Sequence, residues 1–247
     1  MSNTSVTSVD RLLSLFEAFR DSRQPLSLTK LAETIGMPKS SCHAMVSTLI
    51  ERGYLYTLSR PRALYPTRRM HDIMQDVSAH DPFILRATPT LERLRNTTQE
   101  TIILGKRQGD SVIYLQIVES PHPIRYTAQP GVFKPLHSSS IGKALLGSLK
   151  ESELQAWLQG RVLPAVTART KAGHAVLLAD LEESRKRGYY VTRGENISDV
   201  WAVSASIPIH GDVFGVAVAG PQHRIEPCVE ELARLLIASC SFLARQL

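Results

Sequence analysis

Apolar residues at helical spacing open the chain: Val9, Leu12, Leu13, Phe16 and Phe19 predict a helix over residues 8–20. The Ser/Thr-rich stretch 1–8 before it is expected to be mobile. Leu28, Leu31, Ala32 and Ile35 mark a second helix, with Ser27 placed to cap it and Gly36 to end it in a left-handed turn. A third helix is expected from Pro38, whose fixed φ suits a first turn, to Glu51, with Gly53 as its stop. Cys42, Val46, Leu49 and Ile50 fall on its inward stripe. Ser40, His43, Ala44, Ser47 and Glu51 fall outward, with Lys39 at the N-terminal end. Two short strands, 54–58 and 63–65, then flank the basic turn Ser59-Arg60-Pro61-Arg62. This is the pattern of a helix-turn-helix with a wing, which places one helix in the major groove of DNA. The same pattern also suits a helical hairpin in an all-α core, and the basic turn also suits a solvated loop.

Met70, Ile73, Met74 and Val77 predict a linker helix over 68–80 with an exposed apolar seam suited to a partner helix. Asp81-Pro82 breaks it. Beyond that point helices are expected over 89–97, 138–149, 151–159, 175–187 and 227–245. Strands are expected over 101–105, 111–119, 124–127, 189–193, 202–209 and 213–219. The last two strands are joined through His210-Gly211-Asp212 as a hairpin. Hairpins beside separate helices argue for an α+β domain with an antiparallel sheet. The expected division is 1–67, 68–81 and 82–247.

Charge sharpens this picture. The chain of 247 residues carries 29 Lys/Arg and 23 Asp/Glu, a net charge of +6. Residues 1–75 hold 10 basic and 6 acidic side chains, and the remainder 19 and 17, so the excess sits with the helix pair. That favours a polyanion partner for the N-terminal part. Cys42, Cys228 and Cys240 are scattered, which fits a reduced cytoplasmic protein with no metal site. No apolar run approaches the roughly 20 residues that span a bilayer, so no membrane partner is expected.

In 131–149, GVFKPLHSSSIGKALLGSL, His137 and the three serines Ser138, Ser139 and Ser140 lead straight into a helix. A helix N-terminus rich in hydroxyls can hold a small carboxylate, although a plain serine cap reads the same way. His137 beside Ser138 invites a nucleophile–base reading, but sequence neighbours seldom supply that geometry and no G-x-S-x-G elbow is present. Cys228, next to Pro227 at an expected helix start, suits a reactive thiol or a structural one. No P-loop, dinucleotide fingerprint or H-E-x-x-H occurs. The chain carries no enzyme signature and no sign of a cofactor.

Four segments in order resemble the isocitrate-lyase-regulator (IclR) family of bacterial transcription regulators. They are LAETIGMPKSSCHAMVSTLIERGYL, GVFKPLHSSSIGKALLGSL, RTKAGHAVLLADLEESRKRGY and VWAVSASIPIHGDVFGVAVAGPQHRI. The resemblance implies a winged helix-turn-helix domain, a linker helix and a GAF-like effector domain. It implies homodimers, often paired as tetramers, on palindromic double-stranded operator DNA of the nucleoid, with small organic acids as effectors and no enzymatic activity. Carried onto this chain, the DNA-facing residues are Ser27, Thr29, Lys39, Ser40, Ser41, His43, Ala44, Ser47, Arg60 and Arg62. The effector-facing residues are His137, Ser138, Ser139, Ser140, Ile141, Trp201, Ala202, Ser204, Ala217 and Ala219.

Three positions depart from the family pattern. Ala44 stands where an arginine is common, so base readout falls to His43, Ser47 and the wing. Asp199 replaces a usual glycine in the turn before the pocket strands. Ala202, Ala217 and Ala219 replace the Cys or Ser that keto-acid binders carry. An apolar wall there, with Trp201 adjacent in sequence, leads to the expectation of an aromatic carboxylate and a role in aromatic acid catabolism. Keto-acid or sugar-acid sensing of the same type is the alternative. A GAF-like enzyme with a reactive Ser or Cys and a ligand-independent structural DNA-binding protein remain as rivals.

Overall fold

A computed structural model describes residues 6–60 and 62–246. The expectation for residues 1–5 and the wing residue Pro61 lie outside the described residues. The chain folds as two compact units, one ending at His80 and the other beginning at Asp81.

The first unit contains α1 (Thr7–Ser22), α2 (Leu28–Thr34), α3 (Lys39–Glu51), β1 (Leu55–Ser59), β2 (Arg62–Pro66) and α4 (Arg69–Ala79). Local signals explain most of its boundaries. Ser27 accepts from the Lys30 amide at 3.2 Å, and Gly36 takes φ +62° to turn the chain after α2. Pro38 occupies the cap position, so α3 begins one residue later than expected. At its far end the Tyr54 amide reaches the Leu49 carbonyl at 2.7 Å, with Gly53 at φ +75°. β1 and β2 pair antiparallel from Leu55↔Pro66 to Ser59↔Arg62, and Thr67 Oγ1 closes the base of the wing on the Gly53 carbonyl at 2.6 Å. Leu15, Phe19, Leu31, Cys42, Val46 and Leu55 lie at the centre of this unit's core.

Two apolar expectations shift here. Ile50 is exposed and lines a surface groove, while Cys42, Val46 and Leu49 of α3 are buried. On α1 the buried line is Leu15, Ala18 and Phe19; Val9 and Leu13 lie on a neighbouring line with Val6 and stay exposed. Ile73, Met74 and Val77 of α4 are exposed as well. The start of α1 at Thr7 places Thr7 and Ser8 in a helix rather than in a mobile lead.

The second unit contains α5 (Pro82–Thr98), β3 (Thr101–Gln108), β4 (Ser111–Val118), β5 (Phe133–Pro135), α6 (Ser140–Gly147), α7 (Glu151–Leu158) and α8 (His174–Arg187). β6 (Tyr190–Arg193), β7 (Val200–Ile209), β8 (Asp212–Pro221), α9 (Gln222–Ile225) and α10 (Val229–Gln246) follow. The strands form one antiparallel sheet in the order β5-β4-β3-β8-β7-β6, in a mixed α+β architecture. The β7–β8 hairpin turns through His210 and Gly211, both at positive φ, as a two-residue hairpin loop requires. One sheet face packs Val203, Ile207, Val216 and Val218 with Leu91, Leu94 and Leu236 of the flanking helices. The other packs Ile103, Ala202, Ala217 and Ala219 with Ile141, Leu145 and Leu181.

Several boundaries differ from expectation for physical reasons. Residues 124–127 form no strand. Pro121 and Pro123 deny a ladder its donors just before them, and the edge partner of β4 is instead the short β5. α6 starts at Ser140, because Ser139 stays extended and caps it. α5 starts at Pro82, where the Asp81 carboxylate accepts from the Phe83 and Ile84 amides, and it continues through Pro89. A short 3-10 turn, Glu226–Cys228, precedes α10, which begins at Val229.

Candidate functional site

On the first unit, α3 turns Lys39, Ser40, Ser41, His43, Ala44 and Ser47 to solvent. A groove between α3, the start of α2 and the wing is lined by Lys39, His43 and Ser47 together with Ser27, Thr29 and Arg62. Six of the ten DNA-facing residues named from sequence therefore share one surface groove. Ser40, Ser41 and Ala44 are exposed on α3 outside its lining, and Arg60 is exposed at the wing turn. Two ion pairs of this unit, Arg20–Asp21 and Lys30–Glu33, lie elsewhere. Lys39, Arg60 and Arg62 have no acidic partner among the described residues. The surface is thus a set of hydroxyls, an imidazole and unneutralised cations on a helix and hairpin that can enter or straddle DNA grooves.

The second unit holds a cavity of about 30 Å³ between the N-terminus of α6, the sheet and the segment after β6. Its polar lining is Tyr114, Tyr126, Ser139, Ser140, Thr192 and Asn196; its apolar lining is Ile103, Ile197, Val200, Ala202 and Ala219. Ser139 Oγ donates to the Pro135 carbonyl at 2.7 Å and accepts from the Gly142 amide at 3.2 Å, so it is consumed as a cap. Ser140 Oγ has no hydrogen-bond partner among the described residues and borders the cavity. Helix geometry also leaves the Ser140 and Ile141 amides without intrahelical acceptors. Tyr114 and Tyr126 are neighbours on the cavity wall. Burial first, then the neighbouring Tyr126, pushes the Tyr114 phenol far up, and burial pushes Tyr126 up too, so both stay neutral.

Four of the ten effector-facing residues named from sequence line this cavity: Ser139, Ser140, Ala202 and Ala219. The others sit elsewhere. Trp201 points through the opposite face of β7 into the core with Val203 and Ala205, because successive strand residues alternate faces. This removes it as a wall for an aromatic ring. His137 Nε2 is bonded to the Pro164 carbonyl at 2.9 Å, and Ser138 Oγ accepts from Asn196 Nδ2 at 3.1 Å, so the pair forms no nucleophile–base contact. Ile141 packs down on the sheet, where a Cβ at Gly215 would meet its side chain. Ala217 and Ser204 are buried beyond the lining, and Ser204 Oγ is unpartnered among the described residues.

Sequence reasoning missed Ile103, Tyr114, Tyr126, Thr192, Asn196, Ile197 and Val200. Strand pairing carries part of the signal, setting Ile103 opposite Ala217, Tyr114 opposite Gly105 and Thr192 opposite Ala202, whereas Tyr126 and Asn196 lie outside the strands. That signal needs the strand pairing, which no single stretch of chain contains.

Beneath the cavity lies a charged cluster. Lys143 of α6 is fully buried and meets Glu195 Oε2 at 2.5 Å and Asp180 Oδ2 at 2.7 Å, and Asp180 also pairs with Lys171. Burial pushes the Asp180 carboxyl up, but Lys143 and Lys171 outweigh it and hold the group below its ordinary range. Among the described residues no His/Cys/Asp/Glu group could hold a metal, and no helix is long and apolar enough to cross a membrane. Cys228 is partly buried on the 3-10 turn, apart from the cavity lining.

Residues 8–59 match the family model for the IclR helix-turn-helix domain, and residues 75–243 match that for the bacterial transcriptional regulator IclR C-terminal region. The HTH-type transcriptional regulator BhcR of Paracoccus denitrificans is 32% identical over 224 residues, which span 89% of this chain and 79% of that protein. The crystal structure of IclR from Thermotoga maritima superposes with a TM-score of 0.82 at 24% identity, covering 98% of each chain. An IclR homologue from Microbacterium hydrocarbonoxydans, solved in complex with 4-hydroxybenzoate, superposes with a TM-score of 0.78 at 19% identity, covering 96% of this chain and 98% of that one.

Proposed function

The chain belongs to the IclR family, a ligand-responsive class of helix-turn-helix transcription regulators, and we propose that it controls a catabolic operon in response to a compact hydroxy or keto acid. Residues 1–67 read operator DNA, 68–81 link, and 82–247 sense the acid. Lys39, Ser40, Ser41, His43, Ala44 and Ser47 face the major groove. Ser27 and Thr29 hold phosphates, and Arg60 and Arg62 of the wing contact backbone or minor groove. With alanine at position 44, His43 and Ser47 carry the base contacts. The exposed apolar lines Val6-Val9-Leu13 and Ile73-Met74-Val77 bring two copies together, so that two reading heads meet a palindromic site as a dimer or a dimer of dimers.

The observation that carries the sensing role is the free Ser140 hydroxyl with two orphan amides at the head of α6, facing a cavity lined in part by polar groups. These groups suit a carboxylate. Thr192, Asn196 and the tyrosine pair suit a hydroxyl or keto oxygen beside it. A cavity of about 30 Å³ holds roughly one or two waters. A two- or three-carbon acid therefore displaces the walls least. The acid acts only through its differential affinity for two arrangements of the effector unit.

A second reading keeps an aromatic carboxylate, favoured by the apolar wall of Ile103, Val200, Ala202 and Ala219 and by the 4-hydroxybenzoate bound to the Microbacterium homologue. Titration calorimetry with glyoxylate, pyruvate and glycolate against benzoate and 4-hydroxybenzoate separates the two. Tighter binding of the benzoates overturns the first reading, and heat from none of them overturns both.

A further inference from the structure

The segment between β6 and β7, residues 194–199, carries Asn196 and Ile197 into the cavity wall, and its first half is tied down more heavily than a surface loop needs. Thr167 Oγ1 donates to the Gly194 carbonyl and Thr170 Oγ1 to the Glu195 carbonyl, each at 2.7 Å. The Glu195 carboxylate is 2% exposed and meets the ammonium of the fully buried Lys143. Lys143 lies one turn along α6 from Ser139, the cap at the mouth of the cavity, and its other carboxylate partner, Asp180, belongs to α8. One buried cation therefore joins the helix whose end faces the cavity, the helix behind it and the segment that forms the cavity's rim. A buried ion pair costs desolvation and is weak evidence for stability alone; what it supplies is a fixed geometry. Beyond Glu195, Asn196 Nδ2 donates to Ser138 Oγ at 3.1 Å, and the Ile197 and Asp199 carbonyls accept from the Val200 and Gln222 amides at 3.1 and 2.8 Å, while the Ile197 side chain is 40% exposed.

We propose that Lys143, acting through Glu195, is the positioning residue of the effector pocket: it fixes residues 194 and 195 of the rim so that Asn196 is presented to the ligand. This rests on the reading of the cavity as the effector site. Lys143 itself touches no ligand.

Full-length Glu195→Gln is the test variant, because Lys143 keeps Asp180 and the cluster keeps a hydrogen bond. Thr170→Val, which removes an uncharged tie to the same segment, is the second. Hydrogen exchange is followed by peptide across the ligand-free chains, then with glyoxylate, pyruvate and 4-hydroxybenzoate. Both variants are expected to speed exchange of residues 194–199 about tenfold, with peptides of β3, β8 and α3 unchanged, and to weaken the protecting acid by a similar factor. If the acids protect Asn196 and Ile197 in the wild type but the variants neither loosen the segment nor weaken them, the positioning role falls alone. Acceleration spread evenly over the second unit assigns Lys143 to fold maintenance and also overturns it. If no acid protects the segment in the wild type, the effector assignment falls and this proposal with it.

Discussion

Arg224→Ala is expected to destabilise the second unit severely, for a reason that can be followed atom by atom. Glu100, at the foot of β3, is 4% exposed. Arg224 embraces it with both ends of the guanidinium fork, Nη2 meeting Oε2 at 2.9 Å, and the same Nη2 donates to the Ile124 carbonyl at 3.0 Å. The Glu100 hydrogen bonds and charge in turn raise the Arg224 pKa against the opposing pull of burial. Truncation leaves a carboxylate without its counter-charge in a site built around it, where a Cβ at Gly220 would already overlap its oxygens. Breaking a buried pair costs about 3–5 kcal/mol, and the 24% exposure of the arginine side chain, which lets water in, places this case near 3. Glu100→Gln leaves a partly exposed arginine that water can solvate, and should cost about 1–2 kcal/mol.

Urea unfolding followed by tryptophan fluorescence isolates the relevant transition, because Trp157 and Trp201 both lie beyond His80. With a slope of about 2 kcal/mol per molar, Arg224→Ala should lower the midpoint by roughly 1.5 M. A loss below about 1 kcal/mol, or a larger loss from Glu100→Gln than from Arg224→Ala, would refute the reasoning.

Gly142→Ala would drive a Cβ into the Leu136 carbonyl and Cα, which are backbone and cannot step aside; a loss of about 2 kcal/mol or more in the same urea transition is expected. Lys39→Ala and Arg62→Ala should each flatten the slope of log affinity against log salt for operator DNA by about 0.9 per protomer, measured by fluorescence anisotropy across a salt series. Because Asp180 titrates below its ordinary value, its stabilising effect is complete above the unfolded carboxyl pKa and is lost as pH falls through the folded one. Asp180→Asn should therefore lower stability at neutral pH and converge with the wild type in strong acid, as read from urea midpoints between about pH 7 and pH 2.

The first unit was largely legible because its boundaries are local chemistry. Ser27, Gly36, Pro38 and Gly53 each act within a few residues of themselves, and the groove residues follow once two helices and a wing are in place. The second unit depends on pairings far apart in sequence, so the residues 101, 103 and 219 that share a face could not be recognised from any single stretch. Trp201 is a case in point: it adjoins Ala202 along the chain, but strand geometry sends the two to opposite faces. The Ser139–Ser140 cap was visible as a local pattern, but which serine would be consumed and which left free depended on the Pro135 carbonyl and the Gly142 amide. Lys143 reads as an ordinary helix lysine until Asp180 and Glu195, 37 and 52 residues away, are brought to it.

Acid binding in the second unit is expected to change the DNA affinity of the first. A labelled duplex, enriched from a random library by the full-length protein, is titrated by fluorescence anisotropy with and without saturating glyoxylate, pyruvate, glycolate or 4-hydroxybenzoate. A selected palindromic sequence is expected, with a change in affinity of at least about fivefold with one of these acids. Enrichment of no sequence above background, or a selected duplex whose affinity none of the acids alters, would contradict it.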